Sequence, residues 1–206
     1  MIKYIDQTQL SEFKKCLTDI RKNFGKKNTK NIDLSYGVEG NTFRAYRGFT
    51  KPPSSIFQEW ARPYTEKIIK AQPSAAVSTE SNFKKWHSDT AIPLSSQWNK
   101  AQDKGLSFAH TYKLVDLYIK WLSQFEFQDK SFVAHLTKYA SCALDSQTLN
   151  KINICYSKCL PISNPRMGDI HNASTYELCQ EIIGNFCQSA GATKLEFDFW
   201  AWRKGG

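Results

Sequence analysis

What this chain of 206 residues lacks narrows its class before any motif is considered. Glycine and proline are sparse, at 10 and 7 residues, which excludes a collagen-like repeat and argues against a low-complexity, disordered chain. No apolar run approaches the roughly 20 residues of a membrane-spanning helix; the stretch from Leu114 to Leu122 is broken by Asp116 and Lys120. The first residues, Met1-Ile2-Lys3-Tyr4-Ile5-Asp6, show no basic segment followed by an apolar stretch and a small-residue cleavage site. The expectation is a soluble, cytoplasmic protein with no membrane partner.

Ligand spacings are missing too. There is no Cys-x2-Cys pair and no His-x3-His pair among Cys16, Cys142, Cys155, Cys159, Cys179, Cys187, His87, His110, His135 and His171. The cysteines read as reduced, small buried hydrophobes, with a folded metal site from Cys155, Cys159 and Cys179 or Cys187 as the minor reading. No metal or other cofactor is expected, and a metallonuclease is disfavoured. No internal repeat appears, and no period-two alternation persists.

What the chain does have is aromatic bulk and positive charge. Thirteen Phe, nine Tyr and six Trp supply a core for one compact domain. Lysine and arginine total 28 against 19 acidic residues, a net charge of +9, which favours a polyanionic partner, nucleic acid first. The lysines are spread along the chain, so charge alone does not distinguish a binding face from a solvated one.

Helical spacing is widespread. Leu10, Phe13, Leu17, Ile20 and Phe24 predict a helix over 8–24 that stops at Gly25, and residues 26–53 read as loop. A helix capped by Ser54 follows, kinked or divided at Pro63; others are predicted over 79–86 and 93–104. Phe108 to Phe125 is too apolar for a surface helix and reads as central. Shorter helices are predicted over 132–139 and 146–156, a longer one over 173–190 with a capping box at Ser174-Thr175-Tyr176-Glu177, and an aromatic helix over 195–202. The fold class is mainly α.

Two segments carry candidate chemistry. Lys113 stands near the start of the central apolar helix, where loss of solvent favours the neutral, nucleophilic amine. Asp145, in Ala143-Leu144-Asp145, stands where a helix begins; there it can cap the helix, stay ionised and stabilise positive charge developing on a sugar.

In these residues the sequence resembles the helix-hairpin-helix DNA glycosylase superfamily, and within it the archaeal 8-oxoguanine glycosylases. Lys113 and Asp145 match the catalytic pair at a separation of 32 positions, Lys120 matches a second lysine two turns on, and Asp198 with Trp202 matches the Asp-x3-Trp of the final helix. The likeness covers residues 95–202 and is weak over the N-terminal 90. Its hairpin reads Lys104-Gly105-Leu106-Ser107 instead of the usual apolar-Pro-Gly-x-Gly, and no four-cysteine iron–sulfur loop follows the aspartate.

The resemblance implies a two-lobed helical fold with a cleft between lobes, an atypical N-terminal lobe over about 1–92 and a catalytic region over about 93–206. It implies a monomeric DNA glycosylase acting on double-stranded DNA by base flipping, with or without lyase activity, on oxidised guanine in repair or on a hypermodified phage base in antiviral defence. Lys113 and Asp145 would be catalytic; Lys120, Asp198, Trp200 and Trp202 would form the base pocket, with Trp60 and Trp98 as other stacking candidates. Lys104, Gly105, Ser107, His110 and Arg166 would contact DNA. A non-catalytic α-helical DNA-binding module is the alternative, and a small nuclease a third reading.

Overall fold

A computed structural model describes residues 4–46, 48–71, 73–157 and 159–203. Met1 to Lys3 of the N-terminal segment lie outside them. Eight α-helices are present among the described residues: α1 Gln7–Arg21, α2 Pro53–Ala71, α3 Glu80–Ala101, α4 Phe108–Leu122, α5 Lys130–Tyr139, α6 Ser146–Cys155, α7 Ala173–Ala190 and α8 Lys194–Ala201. The only strands among those residues are the two-residue pieces β1 Lys27–Asn28 and β2 Phe125–Glu126, paired in parallel. The chain is mainly helical, as its periodicity predicts. No helix of the described residues is long and apolar enough to cross a membrane.

Several predicted boundaries shift. Helix α3 unites the two stretches expected over 79–86 and 93–104, and α2 continues through Pro63. Proline removes one intrahelical hydrogen bond and crowds the carbonyl four residues earlier. Pro63 and Pro93 are both exposed, and so are Glu59 and Asp89, so each freed carbonyl belongs to an outward-facing residue. The inward faces continue across the prolines, from Ile56, Trp60 and Ala61 to Thr65 and Ile68 in α2, and from Trp86, Thr90 and Ala91 to Leu94 and Trp98 in α3.

Two caps also differ from expectation. Helix α2 begins at Pro53, where a fixed φ suits the first helical position, and Ser54 lies inside it. Asn172 caps α7 by accepting the Thr175 N–H at 3.0 Å, so the box expected around Ser174 is not used. Asp145 does cap α6, reciprocally with Thr148.

The apolar residues divide into two clusters. One joins α2, α3, α4 and α5 around Trp60, Trp98, Tyr118 and Phe132; the other joins α1, α6, α7 and α8 around Phe13, Ile183, Phe186 and Phe197. Helix α1 therefore packs with the C-terminal helices and not with α2 and α3, so the division drawn near residue 92 does not follow the packing. Tyr112 of α4 touches both clusters, as do Phe24 and Phe199.

Candidate active site

Helix α4 is capped by Ser107, whose hydroxyl accepts the His110 N–H, and most of its length is buried. Three charged side chains, Lys113, Asp116 and Lys120, interrupt that apolar surface at spacings of three and four, which places them along one face. Each meets a partner from another part of the chain.

Lys113 Nζ lies 3.3 Å from Asp145 Oδ2, with the two residues 8% and 5% exposed. The other carboxylate oxygen, Oδ1, accepts the N–H groups of Gln147 at 2.9 Å and Thr148 at 3.1 Å at the start of α6. One oxygen thus anchors Asp145 to the helix, and the other faces the lysine. The predicted catalytic pair is brought together.

Lys120 forms an ion pair with Oδ1 of Asp198, and its Nζ lies 4.3 Å from the centre of the Phe199 ring. Asp198 is fully buried, and its Oδ2 accepts the Ala143 N–H at 2.6 Å. Residues 140–145 are all buried without being helical, so their backbone groups need partners. The Gln180 amide supplies two, accepting from Cys142 N–H at 3.0 Å and donating to its carbonyl at 2.7 Å. Thr148 Oγ1 donates to the Ala143 carbonyl and accepts the Asp145 N–H. Gln180, Asp198 and Thr148 together fix the approach to Asp145.

Between the two lysines, Asp116 binds His87 Nε2 at 2.8 Å through Oδ1 and accepts the Tyr176 hydroxyl at 2.8 Å through Oδ2. Burial holds this carboxyl above its usual range, with His87 and Tyr176 acting in the opposite direction. No sequence motif marks these three residues as a site. The one visible signal is an aspartate inside an apolar helical run, a polar group that must find a partner if buried.

The tryptophans assigned to base stacking separate. Trp200 is a core residue, packed 4.9 Å from Phe13 and 5.8 Å from Phe186, with Lys151 Nζ 3.9 Å from its ring centre. Trp60 and Trp98 are also buried in the first cluster. Of the four, Trp202, just past the end of α8, presents the most open ring, at 44% exposure.

The DNA-contact candidates are nearer the surface. Lys104, Gly105, Ser107 and Arg166 are exposed. Gly105 does not have the positive φ of Gly25, Gly37, Gly48 or Gly191, and a Cβ added there would meet only the exposed Asn99 side chain, with Oδ1 at 3.0 Å. His110 Nδ1 meets Ser107 Oγ at 2.6 Å, and its ring packs edge-on against Tyr46. The Arg166 N–H donates to Asp169 Oδ2 in a short 3-10 turn.

Burial raises the Cys142 thiol well above its usual value and that of Cys179 to about 11, so neither is primed as a thiolate. Among the described residues, no group of three or more His, Cys, Asp or Glu side chains is assembled to hold a metal ion.

Two clefts open beside the α3–α4 connection, of about 820 Å³ and about 840 Å³, sharing Ser88, Phe108 and Tyr112. Lys113 and Asp145 line neither, although Tyr112, the chain neighbour of Lys113, lines both and Ser141, in the segment leading to Asp145, lines the larger. No family model, no curated protein and no solved structure matches this chain. The site therefore rests on its own geometry, a buried ammonium facing one oxygen of a carboxylate whose other oxygen is immobilised.

Proposed function

We propose that this protein is a monomeric DNA glycosylase that removes a damaged or modified base from double-stranded DNA. The observation that supports the reading most is the 3.3 Å approach of Lys113 Nζ to Asp145 Oδ2. The glycosidic carbon is inaccessible in a base stack, so the target nucleotide is extruded, at a cost of a few kcal/mol that a damaged or mispaired base partly offsets. The C1′–N bond then breaks, its electron pair leaving on the base, which takes up a proton. Asp145 stabilises the positive sugar.

Lys113 gives one proton to solvent, its freed lone pair attacks C1′, and the surplus proton then on nitrogen passes to the ring oxygen as the sugar opens. Opening of the sugar ring gives a Schiff base, from which loss of a C2′ proton and departure of the 3′ phosphate cleave the strand. Preorganised charge of this kind contributes several kcal/mol of barrier lowering. Asp198 is a positioning residue, holding the Ala143 backbone two residues before the carboxylate. The net charge of +9 supplies attraction to the duplex. The base is damaged, such as oxidised guanine, or a hypermodified base of phage DNA; repair and defence are the corresponding roles.

Borohydride reduction in the presence of DNA carrying the substrate base tests the covalent step. A trapped protein–DNA adduct that disappears in Lys113→Gln supports the reading; base release without an adduct restricts the enzyme to hydrolysis. A second reading, a non-catalytic DNA-binding module, is favoured by the burial of Lys113 and Asp145 and by their absence from both cleft linings. It predicts salt-sensitive binding with neither adduct nor base release.

A further inference from the structure

The larger cleft has a character of its own. It lies between α3, the start of α4, the end of α5 and α7, and one wall is a group of aromatic rings in mutual contact. Phe83 stacks on His87 with centroids 5.7 Å apart, His87 meets Tyr112 edge-on at 5.1 Å, and Tyr112 stacks on Phe108 at 4.4 Å. Tyr176 completes the group, 5.3 Å from Tyr112. Phe108 and Tyr112 are only half-buried, which leaves ring surface for a ligand.

His87 is held from behind. Its Nε2 is engaged by Asp116, whose second oxygen is engaged by Tyr176, so the imidazole cannot turn without breaking a buried network. The opposite ring nitrogen, Nδ1, is the one left to address a ligand. A histidine ring fixed in this way, beside stacked aromatic faces, matches a flat molecule with polar atoms on its edge.

Charge selects further. Lys84, Lys138 and Lys194 line the cleft, but so do Glu80, Glu177 and Glu181. Lys84 is already paired with Glu80 at 2.9 Å. The lining has no surplus of positive charge to recruit a phosphate, and its aromatic wall is too polar at its margins for a purely aliphatic ligand.

We propose that this cleft binds an uncharged planar heteroaromatic ring of the nucleobase class, stacked on an outer face of the Phe108–Tyr112 ring pair and meeting His87 along its edge. The inference is independent of the Lys113 chemistry, because neither Lys113 nor Asp145 lines the cleft. Base–aromatic stacking tolerates different bases, so affinity depends more on the rings than on one base identity.

The test is titration of the full chain with guanosine, adenosine, cytidine and thymidine, followed through the imidazole NMR signals of its four histidines. A saturable shift of the His87 signal with at least one nucleoside is expected, with affinity falling about tenfold in Tyr112→Leu and in Phe108→Leu. Leu34→Ser, at an exposed position outside the cleft, should bind as the parent does. Folding of the variants is checked by helical circular dichroism, and the shift in the parent protein needs no variant. No saturable His87 shift with any of the four nucleosides, or one that persists unchanged in both ring variants, would overturn the proposal.

Discussion

Asp198 reaches from α8 to the backbone N–H of Ala143 at 2.6 Å, while its other oxygen pairs with Lys120 of α4. One fully buried carboxylate thereby fixes the last helix, the central helix and the segment that delivers Asp145. Removing one member of such a pair leaves the other charge buried and uncompensated, which costs far more than the pair contributes.

Asp198→Ala is therefore expected to lose about 3–5 kcal/mol of stability, with both Lys120 and the Ala143 N–H abandoned. Asp198→Asn can keep the Ala143 bond through its amide oxygen and should lose less. Urea unfolding of the two variants measures the difference. Equal losses would mean that the Ala143 contact does not matter.

At Asp145 the two oxygens can be tested apart. Asparagine caps helices about as well as aspartate, whereas alanine forfeits about 1 kcal/mol of capping. Asp145→Asn should be more stable than Asp145→Ala by about that amount in chemical denaturation. Both should lose base release, because neither carries the charge facing Lys113.

Gly37 has a φ of +83°, and a Cβ added there would stand 2.3 Å from Trp121 Cβ and 2.9 Å from the Leu117 carbonyl oxygen. Gly37→Ala combines strain with overpacking and should cost about 3 kcal/mol or more. Gly40→Ala meets nothing within 4 Å and serves as the control, within about 0.5 kcal/mol of the parent. Thermal unfolding of the pair checks both.

Burial lowers the pKa of Lys194 below its usual 10.5, with Glu80 and Asp116 acting in the opposite direction. Its place in the first turn of α8 also sets a cation against the positive end of the helix. A lysine whose folded pKa is depressed binds fewer protons in the folded chain, so its contribution to stability rises as pH climbs from that folded pKa towards 10.5. The stability of the parent relative to Lys194→Met should therefore improve between neutral and alkaline pH. A difference independent of pH would show that the ammonium is not desolvated.

The helices were legible because their buried faces recur at helical spacing, as with Leu10, Phe13, Leu17 and Ile20 in α1. At Pro93 the helix runs on where a boundary is predicted, because a local rule says nothing of which way a freed carbonyl faces. The encounter of Lys113 with Asp145 was legible through resemblance alone, since 32 positions separate them and no local pattern reports such a contact. His87, Asp116 and Tyr176 come from three helices and have no shared sequence signal. Trp200 and Trp202 show the same limit, being two residues apart with one packed inside and the other exposed over less than half of its surface.

The most direct test of the account is to incubate the protein with a panel of DNAs, including oxidised DNA and phage DNA with modified bases, and to count new abasic sites with an aldehyde-reactive probe. The account predicts abasic sites on at least one DNA, lost in Asp145→Asn. Salt-sensitive binding across the panel without a single new abasic site would contradict it and identify a binding module instead.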